Sequence, residues 1–237
     1  MFNLKMADLN ILIENKFPYI QKMCEKYLTN ETNSDFSISV TEEEIVQEKT
    51  EECTDLGYLE SLAIYRKIAE KIIEFDGFLL HGVVLETEGE GVAFCAKSGT
   101  GKSTHAALWL RYLGDKCSVV NGDKPLIRIK EGKAVAYGTP WCGKEGINNN
   151  TSVVLKGVCI LQRGIENEIE KIEKSSVLPY LTTQIYVPKN GMKMIKTLDL
   201  IDALVKGTDF YLLKCNMDIS AAKVAYNRIF GIERTEK

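Results

Sequence analysis

The stretch that decides the fold runs Phe78-Leu-Leu-His-Gly-Val-Val-Leu85, Glu86-Thr-Glu-Gly-Glu-Gly91, Val92-Ala-Phe-Cys95, then Ala96-Lys-Ser-Gly-Thr-Gly-Lys-Ser-Thr104. Phe78–Leu85 and Val92–Cys95 read as buried strands by composition. The turn residues between them suffice for an antiparallel hairpin, whereas a parallel crossover needs about a dozen residues or more. The strand feeding the glycine-rich segment is therefore expected to pair antiparallel with its predecessor. That departs from the ordinary doubly wound nucleotide fold, in which parallel strands alternate with helices.

The glycine-rich segment follows a strand and opens a helix, the context a phosphate-binding loop requires. Its pattern is G-x-x-x-x-G-K-S with Ala96 in place of the first glycine. Gly99 and Gly101 let the backbone curl with N–H groups inward, and the following helix N-terminus completes an anion site. Lys102 can reach the β- and γ-phosphates, and Ser103 can offer its hydroxyl to Mg2+. Ser98, Thr100 and Thr104 belong to the same cradle. Such a pattern arises by chance in a chain this long only roughly a few times in a hundred. A glycine turn capping a helix would explain Gly99 and Gly101 but not Lys102-Ser103. No guanine-specifying N-K-x-D occurs, which favours ATP over GTP.

Phosphoryl transfer to a hydroxyl also needs a metal ligand and a base. Ser118-Val-Val-Asn-Gly-Asp-Lys-Pro125 ends an apolar strand in Asp123, well placed for either role. A turn aspartate ahead of Pro125 is the equally simple structural account. His81 would by itself be a core histidine, and His105 a packing or surface residue on the helix after the loop.

Around this centre, a strand is expected over 7–14, a short helix over 18–28, a strand over 35–40 and a helix over 59–75. Beyond it come a helix over 102–113 and strands over 117–120, 126–129, 134–137 and 157–162. Helices over 175–186 and 218–230 flank a strand over 210–214. The only soft boundary lies near residue 76. It separates an N-terminal α/β accessory region (1–76) from a core (77–237), unless the two form one continuous domain. The acidic run at 41–53 could attract a basic peptide, but a solvated loop or helix face explains it more simply.

Composition limits the alternatives. The chain has 237 residues, 45% hydrophobic and 27% charged, with a formal net charge of -3. No excess positive charge exists to drive nonspecific binding to nucleic acid or anionic lipid. The 7 cysteines form no C-x-x-C pair, and several lie in apolar runs. They read as small hydrophobes in a reducing compartment. No secretory leader or apolar span is expected, so the reading is cytoplasmic.

His81-Gly82, SGTGKST, NGDKPLI and, at 138–144, GTPWCGK occur in this order and at close spacing. Together they resemble the superfamily of HPr kinase/phosphorylase and ATP-dependent phosphoenolpyruvate carboxykinase, above all the small bacterial HPr-kinase-like proteins. The resemblance is good over roughly 78–165 and only in outline elsewhere. It implies an α/β P-loop core with a mixed, largely antiparallel sheet and flanking helices. It also implies a kinase moving the γ-phosphoryl of ATP to a hydroxyl, with Mg2+ held by Ser103 and Asp123. Asp123 matches the second of the family's two adjacent aspartates, the base, and Gly122 stands where the first would be. His81 would sit by the transferred phosphate, and Lys144 falls in a loop that contacts acceptor or phosphate. Thr104 stands where glutamate is usual. The N-terminal region does not resemble HPr kinases, which argues against HPr as the acceptor. A serine or threonine in a peptide or protein is the expected acceptor. A small-molecule alcohol or acid stays open, as does a nucleotide-binding regulatory module with little turnover. Carboxykinase activity is disfavoured by the short chain. HPr kinases assemble into rings, so the resemblance leaves a homo-oligomer open.

Overall fold

The computed structural model describes residues 1–231. In chain order it contains β1 (Phe2–Met6), β2 (Leu9–Glu14), α1 (Tyr19–Met23), β3 (Phe36–Ser39), α2 (Glu42–Gln47), α3 (Leu56–Lys71), β4 (Gly77–Leu79), β5 (Val83–Thr87) and β6 (Glu90–Cys95). There follow α4 (Lys102–Leu113), β7 (Cys117–Asn121), β8 (Leu126–Lys130), β9 (Lys133–Tyr137), β10 (Ser152–Arg163), β11 (Glu168–Lys171), α5 (Leu178–Leu181), α6 (Gly191–Gly207), β12 (Asp209–Cys215) and α7 (Ser220–Phe230).

The central sheet has 9 strands, ordered β4-β8-β9-β10-β6-β5-β7, with β12 joined to β10 and β11 to β12. It is mixed. β6 pairs antiparallel with β5, as the short connection requires, and parallel with β10 on its other side. β10 also runs parallel to β12 and antiparallel to β9. The turn from β5 to β6 is tighter than the six residues read from sequence. Glu88 and Gly89 have φ of 55° and 76°. Both central residues at positive φ give the primed hairpin turn whose twist matches its strands.

Apolar residues on the two sides of the sheet form separate cores. One packs α4 and α7 against β5, β6 and β12 around Phe94, Trp109, Leu213 and Ala225. The other packs α6 over Phe78, Ile127, Ala136 and Val158. A third core joins the small sheet β1-β2-β3 and α3 to Leu126, Tyr137 and Trp141. Polar ties reinforce that junction: the Arg128 guanidinium donates to Ala7 O at 2.8 Å, and Tyr137 OH to Asp8 at 2.6 Å.

Several expectations are corrected by these elements. The strand read over 7–14 is the end of a hairpin, because Ala7 and Asp8, at φ 55° and 56°, make its turn. The strand read over 78–85 breaks at Leu80–Gly82, where the backbone bonds to Gln184, Asp123 and Pro125 instead of continuing a ladder. The helix read over 175–186 shrinks to a turn at Lys174–Ser176 and the short α5. Its chain leaves the helix where Gln184 O accepts from His81 N at 2.7 Å. The 17-residue α6 went unread. Its buried side carries Thr197, Leu200, Ile201 and Leu204, while Met192, Ile195 and Leu198 are exposed on the other. Apolar residues on both faces blur the helical period. Part of the acidic run is spent on structure. Thr41 and Glu44 close a capping box at the start of α2, Glu44 pairs with Lys67 at 2.7 Å, and Glu48 pairs with Arg66.

Candidate functional site

The segment Ala96–Gly101 links the end of β6, near the middle of the sheet, to α4. Gly99 and Gly101 take φ of 75° and 120°, values that only glycine adopts without strain, and a Cβ at either would meet nothing. Conformation, not space, calls for glycine here. The first turn of α4 is thereby aimed out of the loop, with Ser103 and Thr104 exposed. Cavities of about 720 and 470 Å³ lie on either side, sharing Gly99 and Thr100, and the first also contains Lys97 and Ser98.

Lys102 is 8% exposed, and its ammonium donates to Ala96 O at 2.9 Å. It also lies 3.2 Å from His81 Nε2, which in turn lies 3.3 Å from Asp123 Oδ1. Three segments far apart in sequence thus meet in one row of polar contacts. The imidazole nitrogen cannot accept from Lys102 and donate to Asp123 at once, so the proton position selects one contact. Burial pushes the Lys102 ammonium below its ordinary value, opposed by the Asp123 charge. Burial alone would raise the Asp123 carboxyl. The His81 hydrogen bond and the Lys124, His81 and Lys102 charges outweigh it and hold the group below the ordinary carboxylate value.

The turn carrying Asp123 is built by Asn121, which is fully buried. Its side-chain oxygen accepts from Asp123 N at 2.9 Å and Lys124 N at 2.7 Å, and its amide donates to Thr139 O at 3.0 Å. Gly82 N donates to Asp123 O at 2.8 Å, which locks the His81 segment to the same turn. Asparagine ahead of Gly-Asp is the signature of an Asx turn, so this organiser carried a sequence signal.

Gly122 has a different reason to be glycine. A Cβ there would come within 2.8 Å of Cys142 O and 3.1 Å of Ile147 O. Its own N–H donates to Ile147 O at 3.1 Å. The loop after β9 fills the space a side chain would take. That loop is anchored by Trp141, stacked on Tyr65 with ring centroids 4.0 Å apart and donating to Ser61 O at 3.1 Å. Gly143, at φ 78°, brings it against the Asp123 side chain. Lys144 is exposed and lines a cavity of about 620 Å³ together with Asp123 and Lys124.

Two further residues had no sequence signal. Arg163, from the end of β10, donates to Gly99 O at 2.6 Å and so clasps the glycine loop. Glu145 shares a small cavity with Ser103 and Gly122. His105, read as packing, is 2% exposed and accepts from the Trp109 indole N–H at 3.0 Å.

No protein-family model matches this chain, and no curated protein matches it. Among solved structures, it is similar to the HPr(Ser) kinase/phosphatase from Coxiella burnetii, with 11% identity and a TM-score of 0.37 over 65% of this chain and 92% of that one. Likeness that remote leaves the chemistry to the residues themselves. No helix among the described residues is long and apolar enough to cross a membrane.

Proposed function

We propose that this chain is an HPr-kinase-like phosphotransferase that moves the γ-phosphoryl group of ATP to a hydroxyl, on a serine or threonine of a peptide or protein. The observation that carries the reading is the row Lys102–His81–Asp123, which joins the glycine loop to a carboxylate within two contacts of 3.2 and 3.3 Å. A buried lysine beside a glycine loop that opens a helix suits polyphosphate, since each ammonium contact to a phosphate oxygen is a charge-assisted hydrogen bond.

In this reading the glycine loop and the Lys102 ammonium hold the β- and γ-phosphates. Asp123, kept ionised, accepts the proton of the attacking hydroxyl. His81 lies between the two and stabilises charge that builds on the transferred group, with Lys144 adding an exposed cation at the acceptor side. Ser103 and Asp123 are the residues that would hold a magnesium ion, of the kind that takes one or two protein oxygens and completes its shell with phosphate and water. Among the described residues no cluster of three His, Cys, Asp or Glu side chains is preassembled for a metal. Such an ion would neutralise the phosphate oxygens.

The reading makes Asp123→Asn the decisive variant. Transfer from ATP to an acceptor peptide, followed by mass spectrometry, should fall by about 10²- to 10⁴-fold with nucleotide affinity retained. Full activity in that variant would remove Asp123 from its role. One observation favours the second reading, a nucleotide-binding module with little turnover. At Gly122 the Cys142 and Ile147 carbonyls occupy the space of a second carboxylate. Slow release of ADP with every acceptor offered, despite tight nucleotide binding, is the outcome that reading expects.

A further inference from the structure

The cavity of about 620 Å³ that contains Asp123 lies between α1, α3 and the Trp141 loop. Its wall combines Tyr19, Tyr58 and Trp141 with four lysines, Lys22, Lys26, Lys124 and Lys144. Lys22, Lys26 and Lys144 are exposed, and Lys124 is half-buried. Among the described residues none of the four is in an ion pair. Nine lysines elsewhere are paired with carboxylates, while others, such as Lys16, Lys49 and Lys97, are not; what sets these four apart is that they share one cleft. The acids on the same wall are Glu25 and Asp123. Unpaired cations gathered at one cleft raise the local concentration of an anionic partner. They do so in a chain whose overall charge of -3 would otherwise repel one.

Tyr19 and Tyr58, both exposed, give the same cleft aromatic surface beside the buried Trp141. Tyr19 and Tyr58 meet edge to face with centroids 6.0 Å apart, and Trp141 is held by its stack on Tyr65. Aromatic surface beside several cations is the combination that binds a short peptide through a few anchors.

We propose that this cleft takes an acidic peptide segment, with glutamate or aspartate beside the hydroxyl residue that reaches Asp123. The proposal rests on the reading of Asp123 as the acceptor-side base. It reverses the charge preference that the acidic run at 41–53 would suggest. Within that run Glu44 caps α2 and pairs with Lys67 and Glu48 pairs with Arg66, whereas the lysines of the cleft have no such partners.

The test is fluorescence anisotropy with the full chain and a short fluorescein-labelled peptide, its central serine flanked by glutamates. A matched peptide with glutamines serves as comparison. Several exposed charge contacts, each weak, together predict about tenfold tighter binding of the glutamate peptide, lost at high salt. Reversal of two rim charges, Lys22→Glu with Lys26→Glu, should abolish the preference. Both side chains are exposed, so the fold should tolerate the change, and unaltered circular dichroism checks this. Lys144→Gln supplies an independent variant expected to weaken the preference in part. Equal affinity for the two peptides, or a preference that survives the double reversal, overturns the proposal. Nucleotide affinity is measured separately. Failure to bind ATP would count against the kinase reading, whereas ATP binding without acidic-peptide preference would count against this one alone.

Discussion

Asp123 and Gly122 are neighbours with opposite demands. Asp123 is partly buried, yet His81 and the nearby lysines keep its carboxyl ionised. Gly122 contributes only its backbone, because the carbonyls of Cys142 and Ile147 stand where a side chain would go. Placing a carboxylate there by Gly122→Asp should therefore not improve the site. The contact at 2.8 Å is with backbone, which cannot swing aside. The expected cost is about 1–3 kcal/mol of stability, as for other overpacked positions, together with a displaced Trp141 loop. Thermal unfolding of the variant measures the first, and peptide binding the second. Gain of stability would show that the loop yields freely. His105 makes a separate prediction. Burial pushes its imidazole down to about 4, against an ordinary value of 6.5. Between those values the unfolded chain takes up a proton that the folded chain refuses, so stability must fall as pH drops from about 6.5 toward 4. His105→Leu should flatten that part of the curve of melting temperature against pH, even if it lowers the plateau by leaving the Trp109 indole N–H without its acceptor.

At the scale of elements, the loop after β9 joins the N-terminal region to the site, beside the direct bond from Tyr65 OH to Lys124 O at 2.5 Å. Trp141 packs on α3 through Tyr65 and Ser61, and the same loop then touches Gly122 and Asp123. Trp141→Ala removes a large buried side chain and a hydrogen bond at once. Loss of about 3–5 kcal/mol is expected on the scale of buried aromatic truncations. Under the proposed reading, acceptor KM should also rise more than nucleotide affinity changes, since the glycine loop hangs on different supports: β6, α4 and the Arg163 clasp. Steady-state kinetics with varied acceptor and varied ATP separate the two. Equal loss for both substrates would mean that the Trp141 loop supports the whole site rather than the acceptor side.

Across the whole molecule, some features were legible in local sequence because they depend on nearest neighbours. The short turn after Leu85 forces antiparallel pairing of β5 and β6, and Gly99 and Gly101 mark a loop conformation that other residues resist. Strand and helix around that loop follow from apolar runs and their period. By itself, then, the chain specified its hairpin, its glycine loop, the helix behind it and the residue types able to do phosphate chemistry. What only tertiary structure decided is which of them meet. His81 reaches Lys102 and Asp123 because β5 lies between β6 and β7 in the sheet, and no spacing rule encodes a distance of 3.3 Å across three segments. The parallel pairing of β6 with β10, the place of Arg163, the closed space at Gly122 and the lysine rim all have the same origin. α6 escaped the sequence because its apolar residues face both core and solvent, so only packing says which side is inside. Local conformational preference is written residue by residue, whereas contact between distant residues is set by how sheet register and core packing are satisfied together.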